Sequence, residues 1–358
     1  MTALRPHPAL SPPARVPPGT DCVELVVEEF SNGVRIDTFL SRQFRNYTLW
    51  RLQRIVREGN AWIDHTPIAQ TRRVFAGQRV TVRLAEPPDK LLDSDPRPIR
   101  IVYEDPWLVV VDKPAGVIAH PTGEFQRGSL VNILQHWVDS RTERRGLIRP
   151  GLMHRLDRQT SGLMVIALQR VSHRGLAAAF ESGRVSKTYV ALVEGRLREK
   201  SGSIKFPIGR TPTGRNVLMT CRADAIDPRP SQTNFELLEQ YRDYALVAAK
   251  PLTGRNHQIR VHFAHIGHPL VGDEFYLPFG NIRPLKISSA ADDEEDEPEI
   301  EGIETGLPIR RHALHAVRLA FAHPITNLWM EFTAPLPEDF AQTVLQLRQM
   351  AARAEPQS

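Results

Sequence analysis

The segment GLMHRLDRQTSGLMVIAL, residues 151–168, limits the possible folds of this chain more than any other stretch. Its end, residues 163–168, is wholly apolar, which is typical of a strand buried on both faces of a sheet. Just before that run, Asp157 lies between two arginines and is followed by the turn-forming residues 160–162. The chain must therefore bury a central strand and keep a charged loop at the edge of the same sheet.

Around this segment, strand and helix patterns alternate from residue 99 to about 353, with strands in the majority and several joined by short turns. This pattern favours an α+β domain with a mixed, largely antiparallel sheet. Predicted strands cover residues 107–114, 162–168, 187–195, 233–241, 244–252, 315–324 and 328–335, and predicted helices cover residues 129–140, 172–184, 257–267 and 338–353.

Two proline-rich stretches divide the chain, whose 358 residues exceed the length of a typical single domain. Residues 1–22 lack the apolar segment of a signal peptide and are predicted to be a disordered tail. Residues 86–98 contain four prolines and are predicted to be a linker. They separate a small unit, residues 23–85, from a large domain, residues 99–353, which carries an acidic insertion at about 288–306.

The small unit is predicted to contain two short helices followed by strands, one of them the alternating run at 79–84. The second helix has Thr48 as its expected N-cap and ends near Gly59. One of its faces is apolar, and basic residues recur at every third position as a stripe. The arginines of that stripe are Arg51, Arg54 and Arg57.

This arrangement of short helices, arginines and strands resembles the alpha-L type of RNA-binding domain. That family usually has a Ser-Arg pair at the start of the second helix and an Asn-Gly turn after it. Here those places read Thr48-Leu49 and Asp64-His65. The resemblance implies that Arg51, Arg54 and Arg57 contact RNA.

The charge distribution favours a polyanionic partner. Residues 292–304 carry nine acids and no lysine or arginine, so the rest of the chain has 46 basic and 41 − 9 = 32 acidic residues. A balance of +14 is typical of nucleic-acid binding, with a solvated charged surface as the alternative. No run approaches the roughly 20 apolar residues of a membrane span. Two cysteines are too few for a disulfide scaffold or a thiolate zinc site, and they favour a cytoplasmic protein.

Two stretches carry candidate reactive groups. The arginines beside Asp157 favour its ionised form, which can act as a nucleophile, as a base, or only as half of a salt bridge. Lys187 and Tyr189 alternate on a predicted strand and so share a face. There the ring could stack on a base while the ammonium meets a phosphate, and the alternative is an ordinary half-buried tyrosine beside a solvated lysine.

A third stretch, residues 250–273, holds four histidines, His257, His262, His265 and His268. Their spacing matches no familiar metal site, so no metal is predicted. A turn at residues 253–254 should instead lead into a helix from which Arg260 can reach Asp157.

Five blocks of the chain resemble one family. They are, in order, VVVDKPAGVIAHP, HRLDRQTSGL, SKTYVALVEG, TGRNHQIRVHFAHIGHPLVGD and RHALHAVRLAFAHP. Their sequence, order and spacing resemble the pseudouridine synthases of the ribosomal large-subunit type, the RluA family, over about residues 99–340. The acidic insertion departs from that pattern.

The resemblance implies the pseudouridine synthase fold and an isomerase that converts uridine in RNA to pseudouridine without metal or cofactor. It implies that Asp157 is the catalytic carboxylate, that Tyr189 packs against the uracil, and that Arg260 pairs with Asp157. Arg155 would fill the gap left by the extruded nucleotide, and Lys187 would contact the substrate. The protein is expected to be a monomer, and its expected substrate is large-subunit ribosomal RNA. The alternatives are transfer RNA, a non-catalytic RNA-binding protein on the same fold, and an N-glycosidase that frees the base.

Overall fold

The computed structural model describes residues 22–86, 88–89, 91–120, 127–142, 145–212, 218–284 and 303–354. The predicted tail, except for Cys22, and the acidic insertion from 288 to 302 lie outside the described residues. Among the described helices, none combines the length and the apolar character needed to cross a membrane.

The N-terminal unit is a small α/β structure built around one apolar core. Its helices are α1 (Ile36–Gln43) and α2 (Leu49–Arg57), and its strands are β1 (Cys22–Val26), β2 (Val34–Arg35), β3 (Ala61–Ile63), β4 (Thr66–Ile68), β5 (Arg73–Val74) and β6 (Arg79–Arg83). The strands β1, β6, β3 and β4 form an antiparallel sheet in that order, and β2 pairs with β5. Cys22, which the sequence assigns to the tail, is the first residue of β1.

Helix α2 forms where the sequence predicts it. The Thr48 side chain accepts a hydrogen bond from the backbone N–H of Arg51 at 3.4 Å, and this caps the first turn. Gly59 follows the helix with a φ of 75°, in the left-handed region that glycine adopts without strain. Leu52, Ile55 and the adjacent Val56 are completely buried in the core of the unit.

The turn between β3 and β4 keeps its shape although the Asn-Gly pair is absent. Asp64 and His65 have φ values of 47° and 65°, as the two central residues of a type I′ hairpin turn require. The Asp64 carboxylate also accepts a hydrogen bond from the backbone N–H of Arg79 at 2.8 Å. The altered residues therefore leave the local fold unchanged.

The large domain carries the remaining elements. Its helices are α3 (Leu130–Asp139), α4 (Arg170–Glu181), α5 (Gln258–His265) and α6 (Glu338–Ala354). Its strands are β7 (Arg100–Glu104), β8 (Leu108–Lys113), β9 (Gly151–Leu152), β10 (Ser161–Ala167), β11 (Ser186–Glu194), β12 (Ser201–Ile204), β13 (Ile208–Arg210), β14 (Met219–Thr220), β15 (Ile226–Arg229), β16 (Thr233–Gln240), β17 (Tyr244–Pro251), β18 (Tyr276–Leu277), β19 (Asn281–Ile282), β20 (Leu314–Ala322) and β21 (Trp329–Thr333).

Ten of these strands form one sheet, in the order β12-β16-β17-β11-β20-β10-β8-β7, with β21 paired to β20 and β9 to β10. Within the described residues, β10 and β20 are parallel and the other pairs of the sheet are antiparallel. The predicted mixed, largely antiparallel sheet is confirmed. The short strands β13 to β15 and the β18–β19 hairpin were missed, because two to four residues show too little alternation to be recognised.

Strand β10 is buried along its whole length, as its apolar sequence predicts. Met164 and Ile166 belong to an apolar cluster that includes residues of α3 and α5. Leu163 and Val165 point to the opposite face and belong to a second cluster that includes residues of α4. The sheet is thus covered on both faces at the strand that follows the charged loop.

The two units contact each other through residues 146 and 147 of the large domain. The residues described between 86 and 98 form no helix or strand. Asn46 of the N-terminal unit donates a hydrogen bond to the carbonyl of Gly146 at 2.6 Å, and Leu147 packs against the N-terminal core. A side chain of the large domain therefore closes the core of the small unit.

Candidate active site

A cleft with a volume of about 1110 Å³ opens beside the charged loop. The loop before β10, strand β11 and the connection from β17 to α5 all contribute to its wall. Five residues singled out by the sequence lie along it, and these are Arg155, Asp157, Lys187, Tyr189 and Arg260. The tertiary structure thus brings together groups that are up to about a hundred residues apart in the chain.

A buried lysine holds the backbone of the loop that carries Asp157. Lys113, at the end of β8, is fully buried, and its ammonium donates to the carbonyls of Pro114, Val117 and Arg158 at 3.0, 2.8 and 3.1 Å. Arg158 is the residue after Asp157, so the hydrogen bond to its carbonyl restrains the backbone that presents the carboxylate. Lys113 lies in one of the five sequence blocks, but sequence alone assigned it no role.

The turn after Asp157 is held by strand β20 and helix α6. Gly162 has a φ of 117°, and a Cβ atom there would lie 2.4 Å from the Ala316 carbonyl oxygen, so only glycine allows β10 and β20 to approach this closely. Arg311 donates to the Gln159 carbonyl at 2.8 Å and pairs with Asp339 of α6 at 2.8 Å. The turn that the sequence predicts here is therefore held by close packing against β20 and, through Arg311, by α6.

Arg260, the third residue of α5, is the centre of the site's charge network. Its side chain is completely buried and donates to Asp157 at 3.2 Å, to both oxygens of Asp273 at 2.8 and 2.9 Å, and to Glu274 at 3.0 Å. The two-pronged bond to Asp273 fixes the plane of the guanidinium, so the remaining nitrogen can aim at Asp157. The predicted contact between Arg260 and Asp157 is present in the structure.

A histidine connects this network back to the Asp157 loop. His312 is buried, with its Nδ1 atom 3.2 Å from Glu274 and its Nε2 atom 2.8 Å from the hydroxyl of Thr160. Asp273, Glu274 and His312 had no predicted role. Asp273 and His312 lie in the blocks that resemble the family, and this position was the only signal for them in the sequence.

The pKa of Asp157 lies below its ordinary value. Burial alone would favour the neutral acid, but the positive charges of His257, Arg260 and His312 outweigh it. The sequence predicts an ionised carboxylate from the arginines directly beside it, and these are not among the charges that lower the pKa here. The groups that lower the pKa come from distant segments, while Arg155 is exposed along the cleft wall.

Tyr189 stands on a distortion of strand β11. The pairing of β11 with β20 shifts register between Thr188 and Val190, a bulge of the kind that redirects a side chain. Burial, together with the negative charge of Asp157, raises the pKa of Tyr189 well above its ordinary range. The phenol is therefore neutral at physiological pH, and the residue lines the cleft.

The four histidines of residues 250–273 point to different surroundings. His262 is bonded to the hydroxyls of Ser231 and Thr233, His265 packs against the ring of Phe206, and His268 lies against a backbone carbonyl. No group of three potential metal ligands occurs in the described part of the chain.

His257 caps α5 in a strained conformation, next to the site. Its φ of 51° and ψ of 20° are left-handed, which costs energy for a residue other than glycine. Its Nδ1 atom lies 2.7 Å from the hydroxyl of Tyr276, and its ring stacks on Phe275. These contacts hold His257 where it acts electrostatically on Asp157.

The arginines of α2 lie in the N-terminal unit and take no part in the cleft wall. Arg51 pairs with Asp89 at 2.5 Å and with Glu86 at 3.7 Å. Arg54 also pairs with Glu86, and with Glu58 at 3.5 Å. Arg57 is exposed. Two members of the predicted basic stripe are thus bonded to acids of their own chain.

Comparison with known proteins agrees with this geometry. The family described as RNA pseudouridylate synthase matches residues 107–265. An uncharacterised RNA pseudouridine synthase of Bacillus subtilis, YlyB, is 32% identical over 326 residues, which are 91% of this chain and 98% of that protein. Ribosomal large subunit pseudouridine synthase D of Pasteurella multocida is 33% identical over 319 residues, 88% of this chain and 92% of that protein. The solved human RNA pseudouridylate synthase domain containing 1 superposes with a TM-score of 0.50 at 28% identity, over 74% of this chain and 98% of the human chain.

Proposed function

The chain belongs to the RNA pseudouridylate synthase family, and on that premise we propose that it modifies particular uridines of large-subunit ribosomal RNA with Asp157 as the catalytic carboxylate. Its family membership makes it an isomerase that converts uridine to pseudouridine in RNA. The observation that carries the proposal is the ion pair at 3.2 Å between Arg260 and Asp157 on the wall of an open cleft.

The reaction breaks the bond between ribose C1′ and uracil N1, turns the base over, and joins C1′ to C5; the hydrogen of C5 leaves to water and N1 takes up a proton. Atoms balance without any other reactant, so the isomerisation itself requires no metal or cofactor. Attack on the sugar, attack on the base and removal of a ribose proton all need an ionised carboxylate beside the glycosidic bond. The positive charges around Asp157 favour that state, and the bond from Arg260 orients it.

Tyr189, Arg155 and Lys187 complete the proposed substrate site. A uridine inside a stacked helix is inaccessible, so the nucleotide must swing out, which costs a few kcal/mol. The neutral ring of Tyr189 offers a surface for the flipped uracil. Arg155 is exposed along the cleft, where it can occupy the vacated position, and Lys187 lies on the same wall for a phosphate.

The choice of ribosomal RNA rests on similar proteins. Relatives from Pasteurella, Haemophilus and Pseudomonas are named ribosomal large subunit pseudouridine synthase D. Those names favour large-subunit ribosomal RNA over the transfer RNA alternative. The two free cysteines fit a reducing cytoplasm, and the protein is proposed to act there as a monomer.

The N-terminal unit, residues 23–85, is proposed to be an alpha-L-type RNA-binding domain, joined by the 86–98 linker to the catalytic domain at 99–353. Its two helices and the type I′ turn support this assignment. Arg51, Arg54 and Arg57 remain predicted RNA contacts. Of these, Arg57 is the one whose exposed side chain has no described ion pair.

The test is release of tritium from RNA labelled at uridine C5. The wild type should release tritium to water without freeing uracil, and Asp157→Asn should release none above background while still binding RNA. Asp243→Asn, which alters an exposed carboxylate, is the matched control and should retain wild-type turnover.

Each alternative has its own signature in this assay. Free uracil would identify a glycosidase, and absence of both products with wild-type protein would indicate a binding protein only. Turnover by Asp157→Asn would remove Asp157 from the proposed role. Comparing large-subunit ribosomal RNA with transfer RNA as labelled substrates decides between the two classes.

A further inference from the structure

A basic crevice runs along the junction of the two units. We use this name for the space of about 80 Å³ whose charged lining consists of Arg42, Arg45, Arg149, Arg170 and His173. The first two arginines belong to α1 and the residues just after it, and the others come from the loop before β9 and from α4. Neither unit alone forms this cluster, so it exists only because the units pack together.

The arginines of the crevice form no ion pair among the described residues. No described carboxylate lies within ion-pairing distance of the four guanidinium groups. The Nε atom of Arg170 is buried and makes no hydrogen bond. Unpartnered cations in a partly enclosed space are unfavourable unless an anion binds there. This is the opposite of α2, where Arg51 and Arg54 are bonded to Glu86.

Mutual repulsion within the cluster is visible in the titration behaviour of its members. Burial, and then the charges of Arg42, Arg45 and Arg174, lower the pKa of Arg170. Burial and the charge of Arg149 likewise lower the pKa of Arg45. The acid that opposes this repulsion is Glu28, and burial raises its own pKa to about 7, so it supplies only a partial negative charge at neutral pH.

One short segment of the chain leads from the crevice to the catalytic cleft. Arg149 precedes Arg155 by six residues on one segment, which passes from the crevice to the cleft wall. Burial, and then the positive charges of both Arg149 and Arg155, lower the pKa of His120, so both arginines act on one site beside this segment. Arginines therefore lie at both ends of the segment, one in the crevice and one on the cleft wall.

We propose that the crevice binds the phosphate backbone of the substrate RNA, and that it contributes more to the affinity of the protein for RNA than the arginines of α2 do. This inference rests on the proposed function, which makes RNA the substrate. The clustered positive charge, the absence of a described ion pair to it and the segment that leads toward Asp157 all point to the strand that flanks the modified uridine. Packing of the two units thus creates the RNA-binding surface.

The test compares three triple variants that each remove three positive charges. Arg45→Gln/Arg149→Gln/Arg170→Gln alters the crevice, Arg51→Gln/Arg54→Gln/Arg57→Gln alters α2, and Arg198→Gln/Arg229→Gln/Arg242→Gln alters exposed residues elsewhere. Binding to an unmodified large-subunit ribosomal RNA transcript and to short oligouridine is measured over a range of salt concentrations. Urea unfolding of each variant checks that the fold is intact.

The crevice variant should raise the dissociation constant by about tenfold or more and reduce the slope of log affinity against log salt by about 2. The α2 variant should weaken binding by about threefold or less, and the control variant should match the wild type within about twofold. In tritium release the crevice variant should raise KM by a larger factor than it lowers kcat. Arg149→Gln alone, at an exposed side chain, should show part of the same loss and keeps the test valid if the triple variant misfolds.

Wild-type binding by the crevice variant, or an equal loss in all three variants, would overturn the inference. So would a larger loss in the α2 variant. Failure of the proposed function gives a different result, since wild-type protein would then bind RNA through the crevice without forming pseudouridine. The binding and tritium measurements therefore separate the two outcomes.

Discussion

Arg260 and the arginines of the basic crevice show two opposite uses of positive charge. Arg260 is surrounded by Asp157, Asp273 and Glu274 of its own chain, and its role is complete within the folded protein. The crevice arginines repel one another and have no described acid in contact. A cation that is neutralised internally can orient a catalytic group, whereas unpaired cations favour binding of an anion from outside.

The largest effect is expected from breaking the neutralised cluster. Arg260→Met leaves three carboxylates without their shared cation, so the free energy of unfolding should fall by about 3–5 kcal/mol and turnover should be lost. Urea unfolding and tritium release measure the two effects. Arg242→Met, at a side chain that is 93% exposed, is the control and should change stability by about 0.5 kcal/mol or less. A stable and active Arg260→Met variant would show that this pairing is not needed.

The acidic members of the same cluster should give it a characteristic pH dependence. The charges of Arg260 and His312 outweigh burial and hold the pKa of Glu274 far below its ordinary 4.5. Its contribution is therefore full above about pH 4.5 and is lost as the pH falls below that value. Glu274→Gln should lower the free energy of unfolding by about 2 kcal/mol at pH 7, and the difference from wild type should shrink on acidification.

The exposed carboxylate variant Glu181→Gln is the control for this measurement. It should match the wild type at every pH. A difference at Glu274 that stays constant down to pH 3 would mean that its ionisation is not linked to folding.

The crevice should show the opposite pH dependence. Burial raises the pKa of Glu28 from 4.5 to about 7, so its contribution is full below about pH 4.5 and is lost as the pH rises through 7. Glu28→Gln removes the cost of ionising a buried acid. The difference in free energy of unfolding between Glu28→Gln and wild type should therefore be about 1–2 kcal/mol more favourable to the variant at pH 8 than at pH 5. The neighbouring exposed residue supplies the control, Glu29→Gln, which should show no such gain. Equal behaviour of the two variants would contradict the burial of Glu28.

The smallest effect concerns the turn of the N-terminal unit, which lies away from both charge clusters. His65 has a φ of 65°, so His65→Gly should relieve strain and raise the free energy of unfolding by about 0.5 kcal/mol. His65→Ala keeps the strain and should show no gain. Neither change should affect RNA affinity, and a loss of affinity in either variant would place this turn in the RNA-binding surface.

Local patterns were sufficient for much of the fold. The alternation and apolar runs of β10, β11 and β17 predict strands, and the cap at Thr48 predicts the start of α2, because these signals depend on neighbouring residues alone. The β18–β19 hairpin and the small strands β13 to β15 escaped prediction. These strands pair with one another, and at two to four residues each they are too short to show a recognisable alternation.

The candidate site was likewise predictable from the sequence only in part. A resemblance in sequence was enough to select Asp157, Tyr189 and Arg260, which the structure places along one cleft. It was not enough to assign roles to Asp273, Glu274 and His312, whose importance lies in their contacts with Arg260 and Thr160. It also could not distinguish the paired arginines of α2 from the unpaired ones of the crevice.

By itself, the sequence determined the family, the alternation of elements, the buried strand β10 and the reactive residue types. Only the tertiary structure decided which charges neutralise one another: Arg260 with acids next to it in space, and Arg51 with Glu86 across the end of the N-terminal unit. The physical reason is that backbone geometry is set by residues close in the chain, whereas electrostatic energy depends on distance in space and on burial.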